Sequence, residues 1–245
     1  MKILVCISHV PDTTSKINFS DDNAKFDTNG VQFVINPNDE FGLTRAMWFK
    51  EKQGAQVTVA NVGGAETEPT LRKALAIGAD EAIRVNTPAT DGFSVAKQLA
   101  SVIHNGGFDL VIAGRESIDY NGAQVAAMLG EFLDLPSISI IKKLELNGTK
   151  AILSREIEGG KEVVEVEGPF VASCAEGVAE WKIPNMRGIM SARTKPLEVL
   201  AAQSLETLSV VEKFETPTPR GAVKMVDAAN VAQLVDLLHN EAKVI

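Results

Sequence analysis

The chain has 245 residues, 45% of them hydrophobic, with 24 Lys and Arg against 32 Asp and Glu for a formal charge of −8. That much apolar material builds a sizeable core without staples, and the acidic balance argues against a general nucleic-acid coat or an anionic-membrane binder. Cys6 and Cys174 are the only cysteines, and with no CxxC and no Cys/His cluster neither structural zinc nor an iron–sulfur centre is expected.

Up to about residue 140, short β-branched runs alternate with segments of helical period. Ile3–Ile7 is the first predicted strand. Asp39 stands as cap to a helix that turns Leu43, Ala46 and Met47 inward and stops near Gly54. Gln56–Val62 is the second strand. Leu71, Ala74 and Leu75 mark a helix ending at Gly78, a left-handed C-cap position. Ala82–Val85 is the third strand, and Asp91 caps a helix with Val95, Leu99, Val102 and Ile103 on one face. Leu110–Ala113 is the fourth. Val125, Met128, Leu129, Phe132 and Leu133 then form the clearest helical stripe. Strands that read as unbroken apolar runs, with helices between them, mean a parallel sheet covered on both faces and wound right-handedly. The fold class is α/β, a doubly wound, Rossmann-like sheet of the adenine-nucleotide-binding type.

The pattern then changes. Lys143–Leu146, Lys150–Glu156 and Glu162–Glu167 read as a β-meander turning at Asn147-Gly148 and Gly159-Gly160. Phe170–Cys174 returns to the main sheet. Ala175 to Met190 has little period and reads as a loop. Thr194 to Gly221 is polar, carries Pro196, Pro217 and Pro219, and reads as an extended arm. Asp227 opens a final amphipathic helix with Val231, Leu234, Val235 and Leu238 on one face. Residues 1–190 are thus expected to form the α/β domain, and 191–245 an arm and helix that fold back or grip another subunit.

In an open parallel sheet, ligands bind beyond the carboxyl ends of the strands. Cys6–Asp12, Asn36–Asp39, Val62–Ala65 and Gly114–Gln124 are expected to meet there. In the last of these, Gly114 lets the chain leave the strand sharply, and Asn121 with Gln124 forms a loose capping box. Gly122 and Ala123 leave backbone N–H groups open, so the helix start is a candidate phosphate seat, with Arg115 as an added charge. Neither a Walker A loop nor G-x-G-x-x-G is present. Cys6 reads as a small core residue and His9 as a surface residue. Asp12, Asp39 and Asp119 read as caps and turns rather than a magnesium site. No nucleophile motif occurs, and adjacent Ser8 and His9 do not make a triad. No catalytic or metal-ligating residue is assigned. No run approaches the roughly 20 apolar residues of a membrane span, and MKILVCISHV lacks the features of a secretory signal. Direct membrane insertion is not expected, and a reducing compartment is.

Several stretches resemble one family. ILVCISHVPD, FVINPNDEFGLTRAMWFKE, TLRKALAIGADEAIRV, DLVIAGRESIDYNGAQV, REIEGGKE and IPNMRGIMSARTKPLEV are similar, in order, to segments of the electron-transfer flavoprotein beta subunit. The resemblance runs from Met1 to about Val199. It implies an electron-carrier subunit rather than an enzyme, paired with an alpha subunit that holds FAD. The pair would take electrons from acyl-CoA and related dehydrogenases, as in fatty acid beta-oxidation, and pass them to a membrane quinone oxidoreductase. The beta chain would bind one structural AMP. The compartment would be the cytoplasm of a bacterium, or the mitochondrial matrix in a eukaryote.

Carried over by position, the resemblance puts AMP contacts on Cys6, Asn36, Pro37, Asn38, Asp39 and Val62. It adds Gly114, Arg115, Ser117, Ile118, Asp119, Asn121, Gly122, Ala123, Gln124 and Val125 from the helix-start loop. The AMP-binding members usually carry Thr where this chain has Val125. Ala123-Gln124-Val125 is closer to the electron-bifurcating class, whose beta subunit binds a second FAD and whose donor is NADH; Asn38 and Tyr120-Asn121-Gly122 depart from that class. AMP is the expected occupant and FAD the alternative. The resemblance also places a dehydrogenase-docking loop at about residues 175–190, with Pro184, Met186, Ile189 and Met190 as partner contacts, and wraps residues 191–245 around the alpha subunit. A nucleotide-binding module of the universal-stress type is a further alternative, but its phosphate-loop motif is absent.

Overall fold

The computed structural model describes all 245 residues. Strand β1 is Lys2–Cys6. An excursion follows it, with short strands β2 (His9–Pro11), β3 (Asn18–Ser20), β4 (Lys25–Asp27) and β5 (Phe33–Ile35), before helix α1 (Pro37–Gln53). Then come β6 (Gln56–Val62), a 3₁₀ turn at Ala65–Thr67, α2 (Glu68–Ile77), β7 (Glu81–Asn86), α3 (Gly92–Gly106), β8 (Leu110–Gly114) and α4 (Val125–Leu133). The second half holds β9 (Ser137–Asn147), β10 (Lys150–Ile157), β11 (Gly160–Glu167), β12 (Phe170–Cys174), α5 (Met186–Ala192), β13 (Leu197–Ala201) and α6 (Val231–Asp236).

Nine strands form one sheet in the order β11-β10-β9-β12-β8-β1-β6-β7-β13. From β9 to β13 every neighbouring pair is parallel, and β9, β10 and β11 form the antiparallel meander. Alternate side chains of β1 show why the sheet is covered twice. Ile3 and Val5 join a core with Leu43, Met47, Leu71 and Leu75 of α1 and α2. Leu4 and Cys6 join a second core with Leu99, Ile103 and Leu129 of α3 and α4. Each such side chain contributes about 1.5–3 kcal/mol on burial, so neither face can be left wet.

Helix starts and ends obey local chemistry in part. Asp91 caps α3 through a reciprocal box with Ser94, and Gly54 ends α1 in the left-handed region at φ 70°. Gly78 ends α2 at φ 143°, and a Cβ there would lie 2.7 Å from Met47 Sδ.

Several elements differ from expectation. Asn36, not Asp39, is the N-cap of α1; Pro37 takes the first helical position, where its missing N–H costs nothing. The Asn121–Gln124 capping box does not form: Asn121 sits at φ 50°, and α4 starts after Gln124 with no side-chain cap. The arm is not free along its whole length, because Leu197–Ala201 pairs in parallel with Ala82–Asn86 as an edge strand. The segment read as loop carries α5, whose start Asn185 caps by accepting the Gly188 N–H at 2.8 Å. The last helix starts at Val231 under an Asn230 cap, since Asp227 spends its carboxylate on a turn to Ala229. The small pairings β2–β5 and β3–β4 carry no period long enough to read from sequence.

Candidate functional site

The carboxyl ends of β1, β6, β7 and β8 point to one edge of the sheet, and the loops leaving them interlock. Asp39, in the first turn of α1, is only 3% exposed. Its Oδ1 accepts the Gly114 N–H and its Oδ2 the Ser8 N–H, each at 2.7 Å. One carboxylate therefore joins the exits of β1 and β8. Burial pushes its pKa up to about 6, against the opposing pull of the Ser8, Gly114 and Asn36 hydrogen bonds. Gly114 is required by close approach: a Cβ there would meet Asp39 Oδ1 at 2.4 Å and Asn38 Cβ at 2.8 Å.

Asn36 is fully buried. Its Nδ2 donates to the Glu116 carbonyl at 2.8 Å, and its Oδ1 accepts the Ile118 N–H at 3.3 Å. Asn38 Nδ2 donates to the same carbonyl at 3.1 Å. Asn36, Asn38 and one oxygen of Asp39 thus hold the 114–118 backbone, while the other Asp39 oxygen holds Ser8. That loop then reaches α4 through two non-glycine residues with positive φ, Asn121 at 50° and Ala123 at 52°. Side chains there strain the backbone by roughly 1–2 kcal/mol. The outcome is a helix start without a cap: the Val125, Ala126 and Ala127 N–H groups have no intrahelical acceptor, and Gln124 supplies none. Gly122 has open space around it. Arg115 folds onto Glu116 at 2.6 Å, so its charge is partly neutralised.

Cys6 and Val62 are buried beneath the crevice; desolvation raises the Cys6 thiol, and Asp39 adds to that rise. Ser117, Ile118 and Val125 are half-buried, while Asp119, Asn121, Gly122, Ala123 and Gln124 are exposed. His9 is not a free surface residue. Its ring stacks on Phe33 with centroids 4.3 Å apart, and Nδ1 meets Thr70 Oγ1 at 2.7 Å. No group of three His, Cys, Asp or Glu side chains gathers to hold a metal. A cavity of about 570 Å³ lies at the opposite, amino, end of the strands against α3, with Lys2, Gln56 and Glu81 in its wall.

The pattern of matches decides the family. A model of the electron transfer flavoprotein domain matches residues 24–205, and full-length relatives carry the same name. The chain belongs to the electron-transfer flavoprotein family. The electron transfer flavoprotein subunit beta of Bacillus subtilis (strain 168) is 36% identical over 260 residues, covering 100% of both chains. That of Dictyostelium discoideum is 31% identical over 240 residues, 95% of this chain and 96% of its own. The acryloyl-CoA reductase electron transfer subunit gamma of Anaerotignum propionicum is 27% identical over 259 residues, 97% of each. Electron-transfer flavoprotein beta subunits are electron-transfer subunits that pair with an alpha subunit and are not enzymes in their own right.

Arg84 is a buried charge that no motif in the sequence marks. It is 6% exposed and donates Nη1 to the Gly63 carbonyl at 3.0 Å and to Asn86 Oδ1 at 2.7 Å. It pairs across the strands with Asn61, and Arg84 Nε and Asn61 Oδ1 both lack partners. Nothing in the local sequence marks this pair; only the β6–β7 register brings it together. Of the residues expected to contact a partner, Met186 is 73% exposed and Met190 69%. Ile189 is exposed beside them, and Pro184 precedes α5. No helix of the chain is long and apolar enough to cross a membrane.

Proposed function

We propose that the carboxyl-end crevice of this electron-transfer flavoprotein beta subunit holds one AMP as a structural nucleotide, while the alpha subunit carries FAD. The observation that carries the reading is the uncapped start of α4, presented by left-handed Asn121 and Ala123. Free N–H groups and the positive end of a helix dipole suit a phosphate. The residues fit such a group: no side-chain oxygen bonds the first-turn N–H groups, and open space surrounds Gly122. The phosphate belongs at Asn121–Val125. Asn36, Asn38 and Asp39 act from behind, by fixing the 114–118 backbone, and Cys6 and Val62 form the floor. Bound AMP supplies no redox chemistry; the electrons reside on the flavin of the partner.

The rest of the reading concerns partners. Of residues 191–245, the part beyond Phe214 wraps the alpha subunit, which gives the exposed Val231, Leu234 and Val235 face of α6 a surface to cover it. Pro184, Met186, Ile189 and Met190 dock an acyl-CoA or related dehydrogenase, with flexible Met side chains adapting to more than one partner. Electrons then pass to a quinone oxidoreductase, in bacterial cytoplasm or a mitochondrial matrix.

A second reading is a second FAD in place of AMP, with NADH as donor. It is favoured by Gln124-Val125 at the helix start and by a relative named as an acryloyl-CoA reductase electron transfer subunit. The test is to denature the purified heterodimer and count released nucleotides by mass spectrometry. One FAD and one AMP per heterodimer is the expected result. Two FAD and no AMP would replace it with the second reading.

A further inference from the structure

Asp91 has no part in the crevice described above, yet its carboxylate joins distant segments. Oδ1 accepts the Ser94 N–H at 2.7 Å and so caps α3. Oδ2 accepts the Leu208 N–H at 2.7 Å and the Ser209 N–H at 3.0 Å. The arm is pinned on either side of this point. Before it, Gln98, 3% exposed, donates Nε2 to the Gln203 carbonyl at 2.8 Å and accepts the Gln203 N–H at 3.0 Å. After it, Phe214 donates its N–H to the Asn23 carbonyl at 2.8 Å. Its ring stacks on Phe19 with centroids 4.8 Å apart.

These anchors belong to separate parts of the fold. Asp91 and Gln98 belong to α3, which packs on one face. The β3–β4 hairpin belongs to the excursion that follows β1, two strands away from β7 in the sheet. Both the start of α3 and the excursion lie at the carboxyl ends of the strands. Val210–Lys213 therefore runs along that edge from the exit of β7, past that of β6, to the excursion after β1. The five steps from Ser209 to Phe214 reach at most about 18 Å, or some three to four strand spacings. The passage begins beside the phosphate seat, since a Cβ on Gly92 would lie 3.3 Å from Gln124 Oε1. Val210 is 80% exposed, so the crossing is held by its ends and not by packing along its length.

We propose that Asp91 is a positioning residue that holds residues 208–214 as a strap across the carboxyl-end crevice, so that a bound nucleotide leaves only when the strap detaches. The proposal rests on the reading of that crevice as a nucleotide site. Asp91 remains ionised under ordinary conditions. Partial burial pushes its pKa up, but the Ser94, Ser209 and Leu208 hydrogen bonds outweigh that and hold it down at about 2. The latch is therefore a constant feature above strongly acidic pH.

Asp91→Asn separates the two tasks of this side chain. Asn caps helices about as well as Asp, so its oxygen keeps the Ser94 bond. Its NH₂ group turns donors toward the Leu208 and Ser209 N–H groups, which cannot accept them. Phe214→Ala releases the far end without touching α3. In the co-expressed heterodimer loaded with AMP, two rates are measured: exchange of bound AMP against excess labelled AMP, and tryptic cleavage after Lys213 and Arg220. Both variants should exchange AMP about tenfold faster or more and be cut faster, with the thermal midpoint nearly unchanged. Faster cleavage at an unchanged exchange rate would overturn the strap, because the arm would then be tethered without covering the ligand. Unchanged cleavage in Asp91→Asn would overturn the latch. A wild-type heterodimer that binds no AMP would overturn the nucleotide reading and the strap's role with it, while the cleavage rates would still score the latch.

Discussion

The Asp39 carboxylate bridges the Gly114 and Ser8 N–H groups at 2.7 Å each, so a single buried side chain sets the spacing of the two loops that flank the crevice. Its pKa is raised from 3.8 to about 6, chiefly by burial. A raised carboxyl pKa means the fold prefers the protonated form. The associated stability is full below pH 3.8 and is lost as pH rises through 6, about 3 kcal/mol in all. Asp39→Asn has no such titration but turns an amide donor toward one of the two N–H groups, at a cost of about 1–3 kcal/mol. The variant should therefore be less stable than the wild type at pH 4.5 and close to it at pH 7. Urea unfolding at several pH values measures this; a deficit that does not shrink as pH rises would contradict the assignment.

Gly114 leaves no room for a side chain: a Cβ added there would stand 2.4 Å from Asp39 Oδ1 and 2.9 Å from the Asp39 backbone nitrogen. Gly114→Ala should cost about 1–3 kcal/mol through forced backbone movement. It should also weaken nucleotide retention, because the 114–118 segment shifts off Asn36. Thermal unfolding together with nucleotide content per heterodimer checks both.

Ala123 stands at φ 52° beside the start of α4. Ala123→Gly removes the strain of a side chain in that region and should leave stability equal or up to about 1 kcal/mol higher, despite the added freedom of the unfolded chain. Ala123→Val should lose about 1–2 kcal/mol, since a β-branched residue tolerates positive φ least. If both variants lost stability equally, the left-handed turn would not be what presents the helix start.

Met186 is 73% exposed on α5. Met186→Ala should leave the heterodimer and its flavin intact and raise the KM for the electron-donating dehydrogenase about tenfold, the scale of an interface anchor. A steady-state titration against the dehydrogenase reads this, and an unchanged KM with a weakened heterodimer would assign Met186 to the alpha subunit instead.

Chain ends can be cut in two places with different results. Removing residues from Thr194 onward takes away β13 and, with it, the Lys195 carbonyl that Arg72 binds at 2.8 Å and the Lys195 amine that reaches the Leu75 carbonyl at 2.9 Å. That truncation should lower the stability of the α/β domain itself. Ending the chain after Phe214 keeps β13 and should leave the domain intact while abolishing capture of the alpha subunit. Circular dichroism melts and co-purification distinguish the two.

The periodicity of the chain was enough to specify the four central strands, helices α1 to α4 and the meander. Their apolar spacing is local, and local spacing is what a sequence displays directly. The same holds for Asp91 as the cap of α3, because its partner Ser94 is three residues away. What only the tertiary structure decided lies in pairs far apart in the chain. Asp39 read as a helix cap; only the approach of β1 and β8 turns it into a buried clamp. Asn121 read as a cap, but the loop held by Asn36 brings it in at positive φ and leaves the helix start open. Leu197–Ala201 is too short and mixed to announce a strand, and becomes one because the β7 edge offers unpaired backbone groups. The second oxygen of Asp91 meets Leu208 across 117 positions. Such contacts depend on where the folded sheet carries each loop, and no local pattern of residues encodes that position by itself.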